Sequence, residues 1–171
     1  MHPEIKKAMA YAQQKHMAQT YDQFPYFKHL ENVYNVLIKF NFKEDNPEDL
    51  EILIASWLHD SIEDTATSYN DIKQVFGVNV AEIVYCMTDE LGRNRKEKKA
   101  KTYPKIRSNS KSIIIKVADR IANIQHSIEE NNTSFMEMYE KEFEDFQYNL
   151  RIYKHIDLMW EHLKFLLFGT K

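Results

Sequence analysis

The segment Trp57-Leu58-His59-Asp60-Ser61-Ile62-Glu63-Asp64 constrains this chain more than any other. It closes a run that is apolar almost all round: Leu50, Ile52, Leu53, Ile54, Ala55, Trp57 and Leu58. A helix with that pattern belongs inside a domain core. Yet the run ends in one imidazole and three carboxylates. Charged groups are costly in a core unless they are paired, hydrogen-bonded or bound to a metal. The fold must therefore bring polar partners to the end of this helix.

The rest of the chain reads as helical. Among 171 residues there are only three Gly and four Pro, too few turn-formers for a sandwich or barrel. The spacing of Ile5, Ala8, Met9, Ala12 and His16 predicts a helix over residues 3–18, with Pro3 in its first turn. Residues 19–25 carry Asp22 and Pro25 and read as a loop. A second helix starts near Tyr26, with Phe27, Leu30, Val33, Tyr34, Leu37 and Ile38 as its stripe and His29 on that side. Asn46-Pro47-Glu48-Asp49 is a helix start that leads into the buried run, predicted to continue to about Thr65. Ser68 caps a short helix that ends before Gly77, and Val80, Ile83, Val84 and Met87 mark the next. Ser112-Ile113-Ile114-Ile115-Lys116-Val117 is strand-like locally. Its continuation in Ala118, Ile121, Ala122 and Ile124 at helical spacing, with no turn between, predicts a buried helix instead. Residues 133–150 and 152–168 complete the set, their aromatic side chains reading as core. No repeat or linker divides the chain, so one domain over 1–171 is expected, with a core over about 5–130 and a helical cap over 131–171.

Composition excludes several classes. The formal charge of −3 argues against a nucleic-acid binder, and the basic stretch Arg93–Lys111 lacks a stacking platform of aromatic residues. That stretch reads either as a solvated face or as an electrostatic lip for phosphates. No apolar run is long enough to span a bilayer, and the first residues lack a signal-peptide core. The single Cys86, in an apolar run, reads as a packed thiol in a reducing, cytoplasmic setting.

Four residues at helix-interior or helix-end positions stand out: His29, His59, Asp60 and Asp119. Two imidazoles and two carboxylates suit a borderline divalent ion, Mn²⁺, Fe²⁺, Co²⁺ or Zn²⁺. Such a site supports metal-assisted hydrolysis. Glu63 and Asp64 follow His59 and Asp60 by one helical turn, placed to orient a water or move a proton. Asn123 stands one turn after Asp119, where a substrate could be hydrogen-bonded. The other histidines (His2, His16, His126, His155, His162) read as ordinary structural residues.

The ordered set His29, His59-Asp60 and Asp119 resembles the HD-domain phosphohydrolases. The surrounding residues resemble one branch more closely. They are Ala12, His16, Gln19, Pro25-Tyr26 and His29, then Leu58-His59-Asp60-x-Ile62-Glu63-Asp64-Thr65, Phe76-Gly77 and Ile115-Lys116-Val117-Ala118-Asp119-Arg120-Ile121-x-Asn123. That pattern is similar to the hydrolase domain of RelA/SpoT proteins and their small stand-alone relatives, including the metazoan SpoT homologue. The resemblance implies an all-α HD-domain helical bundle, here with extra C-terminal helices. It implies Mn²⁺ held by His29, His59, Asp60 and Asp119, with Glu63 and Asp64 handling the water. The reaction it implies is removal of a 3′-pyrophosphate from (p)ppGpp or another small phosphorylated nucleotide. The pattern departs where the family carries an Arg-Lys pair that holds the nucleotide. Here residues 20–24 read Thr-Tyr-Asp-Gln-Phe, and His126 stands where the family has Thr. Substrate contacts are accordingly expected from Gln19, Tyr21 and Asn123, with Lys96, Lys99 or Lys101 replacing the missing cations. A nucleotide phosphomonoesterase and a non-catalytic nucleotide-binding or sensor module are the rival readings, and a homo-oligomer is left open.

Overall fold

In the computed structural model, residues 1–169 are described; the last two residues of the expected 131–171 cap lie outside them, as does the Lys154 side chain. Among the described residues ten α-helices follow in order: α1 Pro3–Lys15, α2 Phe27–Lys39, α3 Pro47–Leu58, α4 Ser61–Asp64, α5 Tyr69–Phe76, α6 Val78–Met87, α7 Arg95–Arg107, α8 Ser110–Glu129, α9 Thr133–Leu150 and α10 Asp157–Phe168. A 3₁₀ turn, Lys154–Ile156, precedes α10, which therefore begins later than its apolar pattern suggested. The 19–25 loop contains a small antiparallel hairpin, β1 Thr20–Tyr21 with β2 Phe24–Pro25, paired Thr20 to Pro25 and Tyr21 to Phe24.

α8 is the centre of the molecule, packing against α2, α3, α6, α7, α9 and α10. Ile113, Ile114, Ile115, Val117, Ala118, Ile121, Ala122 and Ile124 are all buried, so almost its whole circumference is in contact with protein. Burial on every side outweighs the local strand preference of three consecutive isoleucines. Polar residues on such a helix face the interior too, which is how Asp119 and Arg120 come to be buried.

Local chemistry accounts for the helix ends. Asn46 accepts from the Glu48 and Asp49 backbone N–H groups at the start of α3. Ser68 and Asp71 form a reciprocal capping box on α5. Gly77, at φ +88°, turns the chain from α5 into α6, a conformation that a side chain would resist. Cys86 is buried with its thiol free. No described helix is long and apolar enough to cross a membrane.

The buried helix was predicted to run to about Thr65, but it stops at Leu58. At the break the His59 Nδ1–H donates to the Ser56 carbonyl at 2.8 Å, satisfying one of the last carbonyls of α3. The Asp60 carbonyl then accepts from the Asp64 N–H at 2.8 Å and starts the separate turn α4. α1 likewise ends at Lys15, three residues earlier than predicted. The cap also differs in part. Phe143, Phe146, Trp160 and Leu163 are core, whereas Phe135, Tyr148 and Phe165 are exposed.

Candidate active site

Two helices and the break between α3 and α4 supply the cluster. His29 comes from the first turn of α2, His59 and Asp60 from the break after α3, and Asp119 from the middle of α8. His29 Nε2 lies 3.3 Å from His59 Nε2. It lies 3.4 Å from both Asp60 Oδ2 and Asp119 Oδ1. His59 Nε2 is 3.0 Å from Asp60 Oδ2 and 3.9 Å from Asp119 Oδ1. Ligand bonds of about 2.0–2.2 Å put neighbouring donors of a four- or six-coordinate ion about 2.9–3.6 Å apart. Four of these five distances fall in that range. Among the described residues, His29, His59 and Asp119 stand as a buried group able to hold a metal ion. The hydrogen bond to Ser56 keeps a proton of His59 on Nδ1 and turns Nε2 toward the cluster. His29 Nδ1 has no hydrogen-bond partner among the described residues, so the polar contacts of that ring all lie on the cluster side.

The electrostatics favour a cation at the centre. Burial opposes a charge on His59, but the Asp60 and Asp119 carboxylates win and raise it to about 9. Burial opposes ionisation of Asp119 as well, yet Lys116 and the two histidines hold it down at about 2. Asp60 is held well below the ordinary carboxylate range against its burial, chiefly by His59. Lys116 Nζ reaches Asp119 Oδ2 at 3.0 Å, and Asn123 donates to its other oxygen at 2.6 Å. Asp119 is thus anchored from both sides.

Glu63 and Asp64 line the cleft beside this cluster. Burial pushes both carboxyls above their ordinary values, and Asp60 adds to the effect on each. The Tyr26 hydroxyl donates to Asp60 Oδ2 at 2.6 Å and lies 3.1 Å from Asp64 Oδ2, linking a cluster carboxylate to one of the pair. Burial and Asp60 push the Tyr26 hydroxyl far up, so it remains a donor. His16 stacks on Tyr26 at 4.8 Å and bonds the Gln19 amide, whose nitrogen donates to the Asp64 carbonyl. Glu63 accepts from the Asp89 backbone N–H at 2.8 Å. Asp89 in turn is clamped by Lys99, whose Nζ is 3.1 Å from both carboxylate oxygens.

The expected substrate contacts divide. Tyr21 and Asn123 line the cleft, bonded to each other at 2.7 Å. Tyr21 lies over the rings of His29 and His126, at 4.9 and 4.4 Å. Gln19 uses both ends of its amide within the protein and supports Asp64 instead of facing the cleft. Lys101 also points elsewhere, to the Leu91 carbonyl and Glu97. Three of the nine cations of the basic stretch bind the 89–91 segment: Lys99 to Asp89, Lys101 to Leu91 and Lys105 to Glu90. The cations that do line the cleft are Arg95, Lys99, Lys116 and Arg120. His126, expected as an ordinary core residue, pairs with Asp22 at 2.6 Å and ties the hairpin to α8. Lys116 had a usable signal, since it lies three residues before Asp119 and shares its helix face. Asp89, which holds Glu63 through its backbone N–H, had none.

An all-helical fold that focuses two imidazoles and two carboxylates beside a raised carboxyl pair defines an HD-type metal site. The chain belongs to the HD domain family, whose model matches residues 8–145. It is 34% identical over 128 residues to the guanosine-3′,5′-bis(diphosphate) 3′-pyrophosphohydrolase of Aquifex aeolicus, covering 71% of this chain and 17% of that protein. It is 30% identical over 126 residues to the Drosophila melanogaster enzyme of the same name, MESH1, covering 71% of this chain and 68% of the relative. A solved structure of a metazoan orthologue of SpoT that hydrolyses ppGpp superposes with a TM-score of 0.75 at 22% identity, over 99% of this chain and 98% of that one. That likeness is one of fold. The matched region spans less than a fifth of the bacterial enzyme and about two thirds of MESH1.

Proposed function

We propose that this chain is a divalent-metal-dependent phosphohydrolase that removes pyrophosphate from the 3′ position of a (p)ppGpp-like nucleotide. The observation that carries the proposal is the buried group of His29, His59 and Asp119 able to hold one ion, with Asp60 Oδ2 3.4 and 3.0 Å from the two imidazoles and Glu63 and Asp64 in the same cleft. We assign the four as metal ligands and Mn²⁺ as the ion, with Fe²⁺, Co²⁺ and Zn²⁺ as alternatives. Bound there, the ion supplies Lewis-acid polarisation of a phosphoryl oxygen and a lowered pKa for water.

The remaining chemistry belongs to the side chains. Glu63, raised by burial and oriented by Asp89, is set to take a proton from the attacking water. Asp64, raised by burial and Asp60, is set to deliver a proton to the 3′-oxygen as the P–O bond breaks. The water oxygen goes to phosphorus, and the 3′-oxygen leaves as a hydroxyl. Tyr26 holds Asp60 and Asp64 in register. Tyr21 and Asn123 border the cleft and are assigned to substrate contact. Residues 1–171 act as one cytoplasmic domain in this reading.

A nucleotide phosphomonoesterase is the second reading. The 20–24 hairpin favours it, because it brings Tyr21 to the cleft in place of a cation. A panel of phosphorylated nucleotides with Mn²⁺-loaded protein separates the two by product. Released pyrophosphate supports the first reading and orthophosphate the second. Binding with no turnover anywhere in the panel would reduce the chain to a sensor module.

A further inference from the structure

Glu142 on α9 lies between two guanidinium groups. Its carboxylate accepts from Arg95 Nε, and from an Arg95 terminal nitrogen at 3.1 Å. The same oxygen lies 3.1 Å from a terminal nitrogen of Arg120. Arg120 is 5% exposed, and its guanidinium is held 4.7 Å from the Tyr139 ring centre and 4.3 Å from that of Phe146. Two arginine forks closing on one oxyanion is the arrangement that binds phosphate groups. Both arginines line the cleft that contains His29 and Asp119. Arg95 and Lys99 also line the adjoining groove between α7 and α9, a cavity of about 480 Å³ that carries Lys96 and Lys141 as well.

The cations of the cleft differ in what their partners do. Lys99 is bound to Asp89, which orients Glu63, and Lys116 is bound to Asp119. Replacing either partner would dismantle the site. The partner of Arg95 and Arg120 has no such second task. It is a carboxylate on a different helix, and a phosphate can take its place without disturbing the cluster.

We propose that Arg95 and Arg120 form a second anion subsite, that Glu142 occupies it as an internal stand-in for phosphate, and that Glu142 thereby limits how many phosphate groups the cleft accepts. The ligand class is the distal phosphate or pyrophosphate of a substrate whose other phosphate lies at the His–Asp cluster. That distal group must displace the carboxylate or share the fork with it. The inference rests on the proposed function only for the chemistry at the cluster.

The test is calorimetric titration of Mn²⁺-loaded protein with inorganic pyrophosphate. The wild type, Glu142→Gln, Arg95→Gln and the double variant are compared. Any pyrophosphate bound at the cluster is common to all four, so the differences report on the fork. Glu142→Gln should tighten binding about tenfold, the order expected for removing one unit charge beside an anion in a half-open cleft. The double variant should lose that gain. If Glu142 only props up the arginines, Glu142→Gln leaves affinity unchanged or weakens it, and the proposal is overturned. Should Glu142→Gln fail to fold, Arg95→Gln decides, because that side chain is half exposed. Weakened pyrophosphate binding then supports the subsite, and wild-type binding overturns it. An enzyme that hydrolyses no nucleotide refutes the proposed function but leaves this titration intact.

Discussion

Lys99→Met tests whether the basic helix α7 serves catalysis by holding a loop. The Lys99 and Asp89 side chains are 11% and 15% exposed, and both carboxylate oxygens face the ammonium at 3.1 Å. Methionine keeps most of the stem packing and removes the charge. Stripping a fully buried carboxylate of its partner costs about 3–5 kcal/mol. Asp89 borders the open cleft, where water can reach it, so about 2 kcal/mol is expected. For a chain of this size that is a fall in Tm of roughly 4–8 °C. The functional effect is separate. Asp89 presents its N–H to Glu63 at 2.8 Å, and a hydrogen bond to a charged acceptor is worth about 1.5–3 kcal/mol. Lost from the transition state, that is a fall in kcat of roughly 10- to 150-fold. Metal content should stay at the wild-type value, since Lys99 binds Asp89 and none of the cluster residues. The assay is steady-state kinetics with metal analysis, alongside a thermal melt. A variant with lowered Tm and wild-type kcat would refute the reasoning, because the ion pair would then be structural and Glu63 indifferent to the loop.

The other expectations concern the cluster itself. Glu63→Gln should retain the metal and lower kcat by about 10²–10⁴, the usual range for a lost general base; an unchanged rate makes Glu63 structural. Asp60→Ala should lose both bound metal and activity, and full metal occupancy by elemental analysis would remove Asp60 from the ligand set. Metal affinity should also depend on pH. With His59 raised to about 9 in the metal-free protein, the ion must displace a proton below that value. Apparent affinity should climb about tenfold per pH unit from 7 to 9 and level off above. Calorimetric titrations across that range check the slope, and a flat profile contradicts the protonated imidazole.

Much of the helical order was legible because the responsible interactions are local. Asn46-Pro47 and the Ser68–Asp71 box announce their helices within four residues, and Gly77 marks a turn by its own backbone freedom. The isoleucine run before Asp119 was readable as a helix only through its continuation over three turns. The break at His59 was not readable. It is accompanied by the imidazole turning back to the Ser56 carbonyl, a contact invisible in an apolar pattern. The same ring points Nε2 at the cluster and satisfies a helix-end carbonyl with Nδ1, so the break and the ligand geometry meet in one residue.

The cluster was legible for a related reason: imidazoles and carboxylates on apolar faces must meet something, and meeting one another is the least costly outcome. The charges of α7 carried no such constraint. A lysine announces that it is charged but not where its partner lies. Lys99, Lys101 and Lys105 each bind a group ten to fifteen residues earlier, across a turn whose path no periodicity reveals. Three lysines of α7 are thereby turned to the 89–91 segment, whose Asp89 backbone N–H holds Glu63. Arg95 and Arg120 are the cleft cations left with a partner, Glu142, that does nothing else in the site. In the proposed reading, discrimination among substrates belongs to that partner and to the hairpin at Tyr21, and the reaction to residues fixed by the core.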